Sequence, residues 1–137
     1  MKYEALVDTS GFYALLVERD PMHTRTSGIL RKAAKAKSGF VTTDYCLDET
    51  ATLLRARGLG HLVVPLFETV FASNACTVEW MDPDRFEQTR QFLGKHEDHP
   101  WSFTDCFSFC LMKELNIRNA LTTDGHFREA GFRPLLV

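Results

Sequence analysis

The chain has 137 residues, of which 45% are hydrophobic and 25% are charged, and its formal net charge is -2. This length favours one compact domain spanning residues 1–137, and the composition excludes a disordered or fibrous protein. A net charge so close to zero also argues against a protein whose whole surface is coated with nucleic acid.

Membrane and redox features of the sequence indicate a cytoplasmic location. No apolar run approaches the roughly 18 to 20 residues of a spanning helix, so we expect no membrane association. Lys2, Glu4 and Asp8 interrupt the N-terminal region, which would be apolar in a signal peptide. The four cysteines, at positions 46, 76, 106 and 110, lack the spacing of a zinc site or a disulfide scaffold. We expect them to be reduced core residues.

Short apolar runs alternate with longer helical patterns along the chain. The runs typical of buried strands cover residues 5–7, 40–42, 76–78 and 120–122, with a further strand expected at 132–137. The helical patterns cover residues 9–17, 22–37, 45–57, 61–72, 83–94 and 102–115. This alternation predicts an α/β fold with a central, mainly parallel sheet of four to five short strands flanked by helices.

The first acid of interest, Asp8, follows the first predicted strand. In parallel sheets, ligands bind outside the carboxyl ends of the strands, so an acid at this position is a candidate for function. A helix N-cap is the alternative explanation, although Thr9 and Ser10 are equally suitable caps. A phosphotransferase with an Asp-x-Asp motif would need a second acid at position 10, where this chain has Ser10.

The second predicted helix is basic. Between residues 21 and 43 there are five positive side chains and no acid; the positive residues are Arg25, Arg31, Lys32, Lys35 and Lys37. Such a stretch can face a polyanion. It can equally be a solvated surface helix, because the positive residues occupy more than one face.

Glu49 lies in the third predicted helix. On a helical wheel it falls with Cys46, Leu53 and Ala56 on an apolar seam, where a carboxylate needs a cation or several hydrogen bonds. An edge residue that reaches water is the alternative. Asp48 belongs to a polar stripe and is left out of the candidate set, whereas the contribution of Asp44 stays open.

The two later acids also have structural explanations. Asp105 opens a helix that is apolar nearly all round, and Ser102 three residues earlier fits a capping box. Asp124 precedes Gly125, and Asp-Gly is a common turn pair.

Together, the acids indicate a metal site. Four unpaired carboxylates converging at one edge of a parallel sheet would repel one another, and a divalent metal relieves that repulsion. With oxygen ligands and no histidine or cysteine at ligand spacing, we expect Mg²⁺ or Mn²⁺. Such a site is suited to hydrolysis of the phosphodiester backbone of a nucleic acid.

The residues around these acids match four blocks of a known family, in order and at plausible spacing. The blocks are residues 7–15 (VDTSGFYAL), 43–50 (TDYCLDET), 102–109 (SFTDCFSF) and 120–127 (ALTTDGHF). On these motifs the chain resembles the PIN-domain nucleases, specifically the VapC-like toxins of prokaryotic toxin–antitoxin pairs, nearly from end to end.

The resemblance implies a metal-dependent endoribonuclease that cuts single-stranded or loop RNA, such as tRNA or rRNA. The implied catalytic and metal-binding residues are Asp8, Glu49, Asp105 and Asp124. Neighbours that orient metal-bound water are expected at Thr9 or Ser10 and at Thr104. The family usually forms homodimers that build a basic groove, and a small VapB-like antitoxin blocks this groove. Phosphate contacts are expected from Arg25, Arg31, Lys32 and Lys35.

A second hypothesis treats the chain as a PIN-like module that binds RNA or a protein partner without catalysis. The basic stretch and the capping and turn roles of Asp105 and Asp124 favour it. A receiver-type domain fits poorly, because the acidic pair beside the first strand and a suitably placed late lysine are missing.

Overall fold

The computed structural model describes residues 2–137, in which strands and helices alternate as the sequence predicts. The strands are β1 (Tyr3–Val7), β2 (Gly39–Thr43), β3 (Cys76–Glu79), β4 (Asn119–Leu121) and β5 (Arg133–Pro134). The helices are α1 (Thr9–Leu16), α2 (His23–Lys35), α3 (Asp44–Ala56), α4 (Val63–Ala72), α5 (Pro83–Lys95), α6 (Phe103–Glu114) and α7 (His126–Glu129). A 3₁₀ turn (Gly60–Leu62) precedes α4.

The strands form one parallel sheet in the order β3-β2-β1-β4-β5. The chain therefore builds outward from β1 in one direction and later returns to add β4 on the other side of β1. In open parallel sheets such a reversal leaves a crevice, here outside the carboxyl ends of β1 and β4, and ligands bind in this crevice. The predicted α/β class and parallel sheet are confirmed.

Two apolar cores cover the two faces of the sheet. Successive residues of β1 point to opposite faces, so Ala5 and Val7 join one core while Leu6 joins the other. The second core is rich in aromatic rings, with Phe109 in edge contact with Phe127 at 5.0 Å between ring centroids. Strands buried on both faces explain why the sequence shows short apolar runs instead of alternation.

Gly11 brings α1 against the end of β4. A Cβ atom at this position would lie 2.1 Å from the carbonyl oxygen of Leu121, closer than any real contact. Because glycine has no Cβ, the first turn of α1 can approach the strand, and this close approach places Asp8 beside the end of β4.

The differences from the predicted elements are small. The short helix α7 was not predicted, because four residues are too few to show helical periodicity. The last strand has only two residues, Arg133 and Pro134, instead of the six predicted. All four cysteines are free; Cys46 and Cys106 are buried, and the other two are half-buried. Within residues 2–137, no helix is long and apolar enough to cross a membrane.

Candidate active site

Two of the predicted acids lie at the crevice between β1 and β4. Asp8 follows β1 directly as the N-cap residue of α1, and its backbone N–H donates to the Leu121 carbonyl at 3.2 Å. Asp124 follows β4 after two threonines. The strand order therefore brings together residues that are more than a hundred positions apart in sequence.

Asp8 is a buried carboxylate, with only 6% of its surface exposed. The Thr122 hydroxyl donates to Asp8 Oδ2 at 2.9 Å, and the Cys46 thiol lies 3.7 Å from Asp8 Oδ1. Burial raises the pKa of Asp8 to about 6, although the hydrogen bond from Thr122 opposes this shift. The charges of Asp105 and Glu49 raise the same pKa further.

A chain of hydrogen bonds joins the loops that follow β1 and β4. The Thr122 hydroxyl uses its one hydrogen in the hydrogen bond to Asp8. In its contact with Ser10, at 3.0 Å, Thr122 is therefore the acceptor and the Ser10 hydroxyl is the donor. Ser10 accepts in turn from the backbone N–H of Thr123 at 2.9 Å, and Thr122 accepts from that of Asp124 at 3.0 Å. This network fixes Asp8 relative to Asp124. Thr122 was not among the predicted residues, although it echoes Thr42 at the end of β2.

Asp105 lies in the first turn of α6. The predicted capping box is confirmed: Ser102 Oγ accepts from the Asp105 backbone N–H at 3.0 Å, and Asp105 Oδ2 accepts from the Ser102 N–H at 3.2 Å. The side chain is 12% exposed. Burial raises the pKa of Asp105, and the nearby charge of Asp124 raises it further. Asp105 therefore caps the helix and, because its negative charge is poorly compensated, can also bind a cation.

His126 stands between two of the acids. Its Nδ1 lies 3.3 Å from Asp105 Oδ2 and 3.4 Å from Asp124 Oδ1. The predicted turn role of Asp124 is also present, since Asp124 Oδ1 accepts from the His126 N–H at 2.9 Å. The three side chains each offer one ligand atom, and these atoms lie within 4.8 Å of one another.

The expectation that no histidine stands at ligand spacing was therefore wrong. His126 follows Asp124 by two residues, and it is the first residue of α7, the helix that was not predicted. The sequence signal was the Asp-Gly-His triplet itself. Its meaning depends on the turn that aims the imidazole back toward Asp105.

Glu49 lies at the exposed edge of α3 and not on an apolar seam, so that expectation was wrong. The buried stripe of this helix consists of Cys46, Leu47, Thr50 and Leu54. At about 100° per residue, Glu49 is more than a quarter-turn from the centre of this stripe. The alternative, an edge residue that reaches water, is what the structure has. The Thr9 hydroxyl lies 3.4 Å from Glu49 Oε1 and can donate to it.

Asp44, Asp48 and Thr104 complete the set of residues that the sequence analysis considered. Asp44 accepts from the Met81 backbone N–H at 2.9 Å, which ties the start of α3 to the end of β3. Asp48 is exposed, as its polar stripe predicts. Thr104 precedes Asp105 in the first turn of α6 and is half-buried.

Two basic residues of α2, Arg25 and Lys32, lie at the opposite edge of the sheet from this crevice. All four predicted RNA contacts are exposed: Arg25, Arg31, Lys32 and Lys35. Arg25 and Lys32 line a surface cleft whose other walls include Glu4, Asn119 and Arg133. These three residues lie at the amino ends of β1, β4 and β5, whereas the acids follow the carboxyl ends. Four residue steps along β1 put about 13 Å between the two edges.

The donor set at the crevice suits a divalent cation. Carboxylate oxygens dominate the set. Burial and neighbouring negative charges raise the pKa of Asp8 and of Asp105, and a bound cation would lower both pKa values again. Among the described residues, no buried side-chain nitrogen or oxygen lacks a hydrogen-bond partner. The acids are therefore held in place before any ion binds.

Comparisons with known proteins bear on the family and the fold of the chain. No family model matches the chain. The 23S rRNA-specific endonuclease VapC20 of Mycobacterium tuberculosis, from strains CDC 1551 and H37Rv, is 35% identical over 127 residues, which cover 92% of this chain and 93% of the relative. The crystal structure of M. tuberculosis VapC20, a sarcin-ricin loop cleaving toxin, matches with a TM-score of 0.79 and 31% identity. That match covers 94% of this chain and 96% of the solved chain.

Proposed function

Because the chain belongs to the VapC-like toxins of the PIN-domain nuclease family, we propose that it is a metal-dependent endoribonuclease that cuts a loop of ribosomal RNA. The observation that carries the proposal is the convergence of Asp8, Asp105 and Asp124 at the crevice between β1 and β4, with Glu49 at its rim. Open parallel sheets bind their ligands where the strand order reverses, so acids at this position are well placed to hold a metal ion and an RNA phosphate.

The relatives suggest the target. VapC20 is specific for 23S rRNA and cleaves the sarcin-ricin loop, and the similarity to this chain extends over nearly the whole length of both proteins. We carry this over as the preferred substrate, a loop of 23S rRNA. Loops suit such an enzyme, because their unpaired bases are open to recognition by side chains.

Asp8, Glu49, Asp105 and Asp124 are the residues proposed to hold Mg²⁺ or Mn²⁺. When bound, such an ion lowers the pKa of a water molecule and neutralises charge on the phosphodiester. Asp8 is held for this role by the Thr122 hydroxyl, and Asp105 by the backbone of Ser102.

Glu49 differs from the other three acids, because it is exposed at the mouth of the crevice. One of its carboxylate oxygens could therefore hold the ion while the other received a proton from an attacking water molecule and passed it to solvent. The hydroxyl of Thr9 lies 3.4 Å from Glu49 Oε1 and 3.5 Å from the Cys46 carbonyl oxygen, so its one proton can be donated to either acceptor. Thr9, Ser10 and Thr104 keep the positioning roles that the resemblance implies.

The resemblance also implies partners. We propose a VapB-like antitoxin that covers the crevice, a homodimer, and action in the cytoplasm, where ribosomes are found. An exposed aromatic pair supports the presence of a protein partner: Phe71 and Trp80 are each 55% exposed and stack with 6.1 Å between ring centroids. Phosphate contacts by the basic face of α2 remain part of the proposal.

The experiment incubates the purified protein with rRNA and with tRNA, in Mn²⁺, in Mg²⁺ and in EDTA, beside the Asp105→Asn variant. We expect discrete rRNA fragments from the metal-loaded wild type alone. Retention of RNA on the protein without cleavage under any condition would favour the non-catalytic binding module instead.

A further inference from the structure

We propose that His126 is a nitrogen ligand of the metal ion, so that the site prefers Mn²⁺ or a similar transition-metal ion over Mg²⁺. The inference rests on the proposed function for the presence of a metal at these acids. It goes further by naming a ligand outside the four acids and by predicting which ion the site selects.

The distances from the His126 ring to two carboxylates fit a shared ion. Ligand atoms that share one ion through bonds of about 2.1 Å lie roughly 3.0 to 3.4 Å apart at right-angled or tetrahedral positions. His126 Nδ1 lies 3.3 Å from Asp105 Oδ2 and 3.4 Å from Asp124 Oδ1. The imidazole is therefore already at the separation that a common ion requires.

Each of the carboxylate oxygens that face the ring also accepts a backbone group: Asp105 Oδ2 accepts the N–H of Ser102 at 3.2 Å, and Asp124 Oδ1 accepts the N–H of His126 itself at 2.9 Å. His126 Nδ1 is also within hydrogen-bond distance of Asp105 Oδ2, and an ion bound between these two atoms would take the place of the proton that they share. With its side chain 32% exposed at the start of α7, His126 is also open to an ion that arrives from solvent.

The chemistry of the donor set then decides the ion. Mg²⁺ prefers oxygen ligands and sheds its water reluctantly, whereas imidazole nitrogen favours transition-metal ions. A site that adds one imidazole to its carboxylates is therefore biased toward Mn²⁺ over Mg²⁺. If His126 acts only by orienting Asp105, its loss weakens the binding of both ions alike.

The test records the electron spin echo modulation of bound Mn²⁺, which reports a directly coordinated ¹⁴N nucleus. We expect this coupling in the wild type, and its absence in His126→Ala and His126→Gln. The matched control is His61→Ala, which removes an exposed histidine of the 3₁₀ turn and should keep the coupling. Thermal unfolding establishes that each variant is folded.

Affinity gives the second readout. Removal of the imidazole should weaken Mn²⁺ binding by about tenfold or more, and Mg²⁺ binding much less. Absence of nitrogen coupling in the wild type, or equal losses for both ions, would overturn the inference. Cleavage of rRNA without nitrogen coupling refutes only the role of His126, whereas nitrogen coupling without cleavage refutes only the proposed nuclease.

Discussion

Asp8 shows how a single buried acid links stability to function. Its carboxylate is nearly inaccessible to water, and Thr122 and Cys46 provide the polar contacts that replace hydration. These contacts offset only part of the cost of burial, so the pKa of Asp8 rises from 3.8 to about 6. The metal-free protein therefore holds a charge that destabilises it.

We predict that Asp8→Asn abolishes cleavage and stabilises the metal-free protein at neutral pH. In the wild type, the unfolded chain loses this proton near pH 4 while the native state keeps it until about pH 6. The native state binds more protons in this window, so its stability falls as the pH rises. At about 1.36 kcal/mol per pKa unit, the loss reaches up to about 3 kcal/mol above pH 7.

Denaturant unfolding of both proteins in metal-free buffer between pH 4 and pH 8 measures this effect. Other titrating groups cancel in the difference between variant and wild type, which should grow in favour of the variant across the window. A difference that stays constant with pH would show that Asp8 is not the destabilising charge.

At the scale of elements, Gly11 controls how α1 meets β4. We predict that Gly11→Ala lowers the free energy of unfolding by about 1 to 3 kcal/mol, because the new Cβ must push the helix away from the Leu121 carbonyl. Cleavage should fall as well, because Asp8 moves with the helix. Gly94→Ala in α5 is the matched control: its Cβ meets nothing within 4 Å, so that variant should keep its stability or gain slightly. Equal stability of the two variants would contradict this account.

The start of α6 has a structural and a functional role that can be separated. Ser102→Ala removes a cap worth about 1 kcal/mol and leaves the Asp105 backbone N–H without its acceptor, which loosens the turn of α6 that carries Asp105, although the Ser102 backbone N–H still donates to the carboxylate. Asp82→Ala removes the comparable cap of α5, where Asp82 accepts from the Arg85 N–H at 2.8 Å. We predict similar losses in thermal stability for both, and a loss of cleavage for Ser102→Ala alone. Equal activity of the two variants would mean that the cap does not position Asp105.

How well the sequence predicted each element depended on its length. The six longer helices and the first four strands have apolar patterns, and their predicted bounds differ from the structure by one or two residues. Helix α7 is only one turn long, so its pattern carried no signal and the role of His126 was missed. Glu49 was misplaced because the wheel placed it beside Cys46 and Leu53, whereas the buried stripe centres on Leu47 and Thr50.

At the scale of the whole molecule, strand order determines which residues meet. The sequence indicates that Asp8 and Asp124 each follow a strand, but not that β1 and β4 are neighbours. The same topology places Arg25 and Lys32 at the opposite edge of the sheet, which no local pattern shows. We propose that the cleft that they share with Arg133 contacts an outer part of a bound RNA chain and not the bond that is cut.

This separation predicts distinct effects on binding and on turnover. Neutralising Arg25 and Lys32 together as Arg25→Gln and Lys32→Gln should raise KM for long RNA and leave kcat unchanged. The slope of affinity against salt should fall by roughly 0.7 to 0.9 for each lost phosphate contact. The control pair Arg90→Gln and Lys95→Gln removes two exposed cations of α5. Steady-state kinetics at several salt concentrations measures these effects. An unchanged KM in the variant that lacks Arg25 and Lys32 would show that α2 does not contact the RNA.

If the acids at the crevice cut one loop of 23S rRNA with the help of a metal ion, the product can be located on the RNA itself. Primer extension across 23S rRNA from intact ribosomes treated with the protein and Mn²⁺ maps the cut. We predict one dominant stop, within the sarcin-ricin loop, that disappears with EDTA and with Asp105→Asn. A stop that persists in either condition, or scattered stops throughout the rRNA, would contradict this prediction.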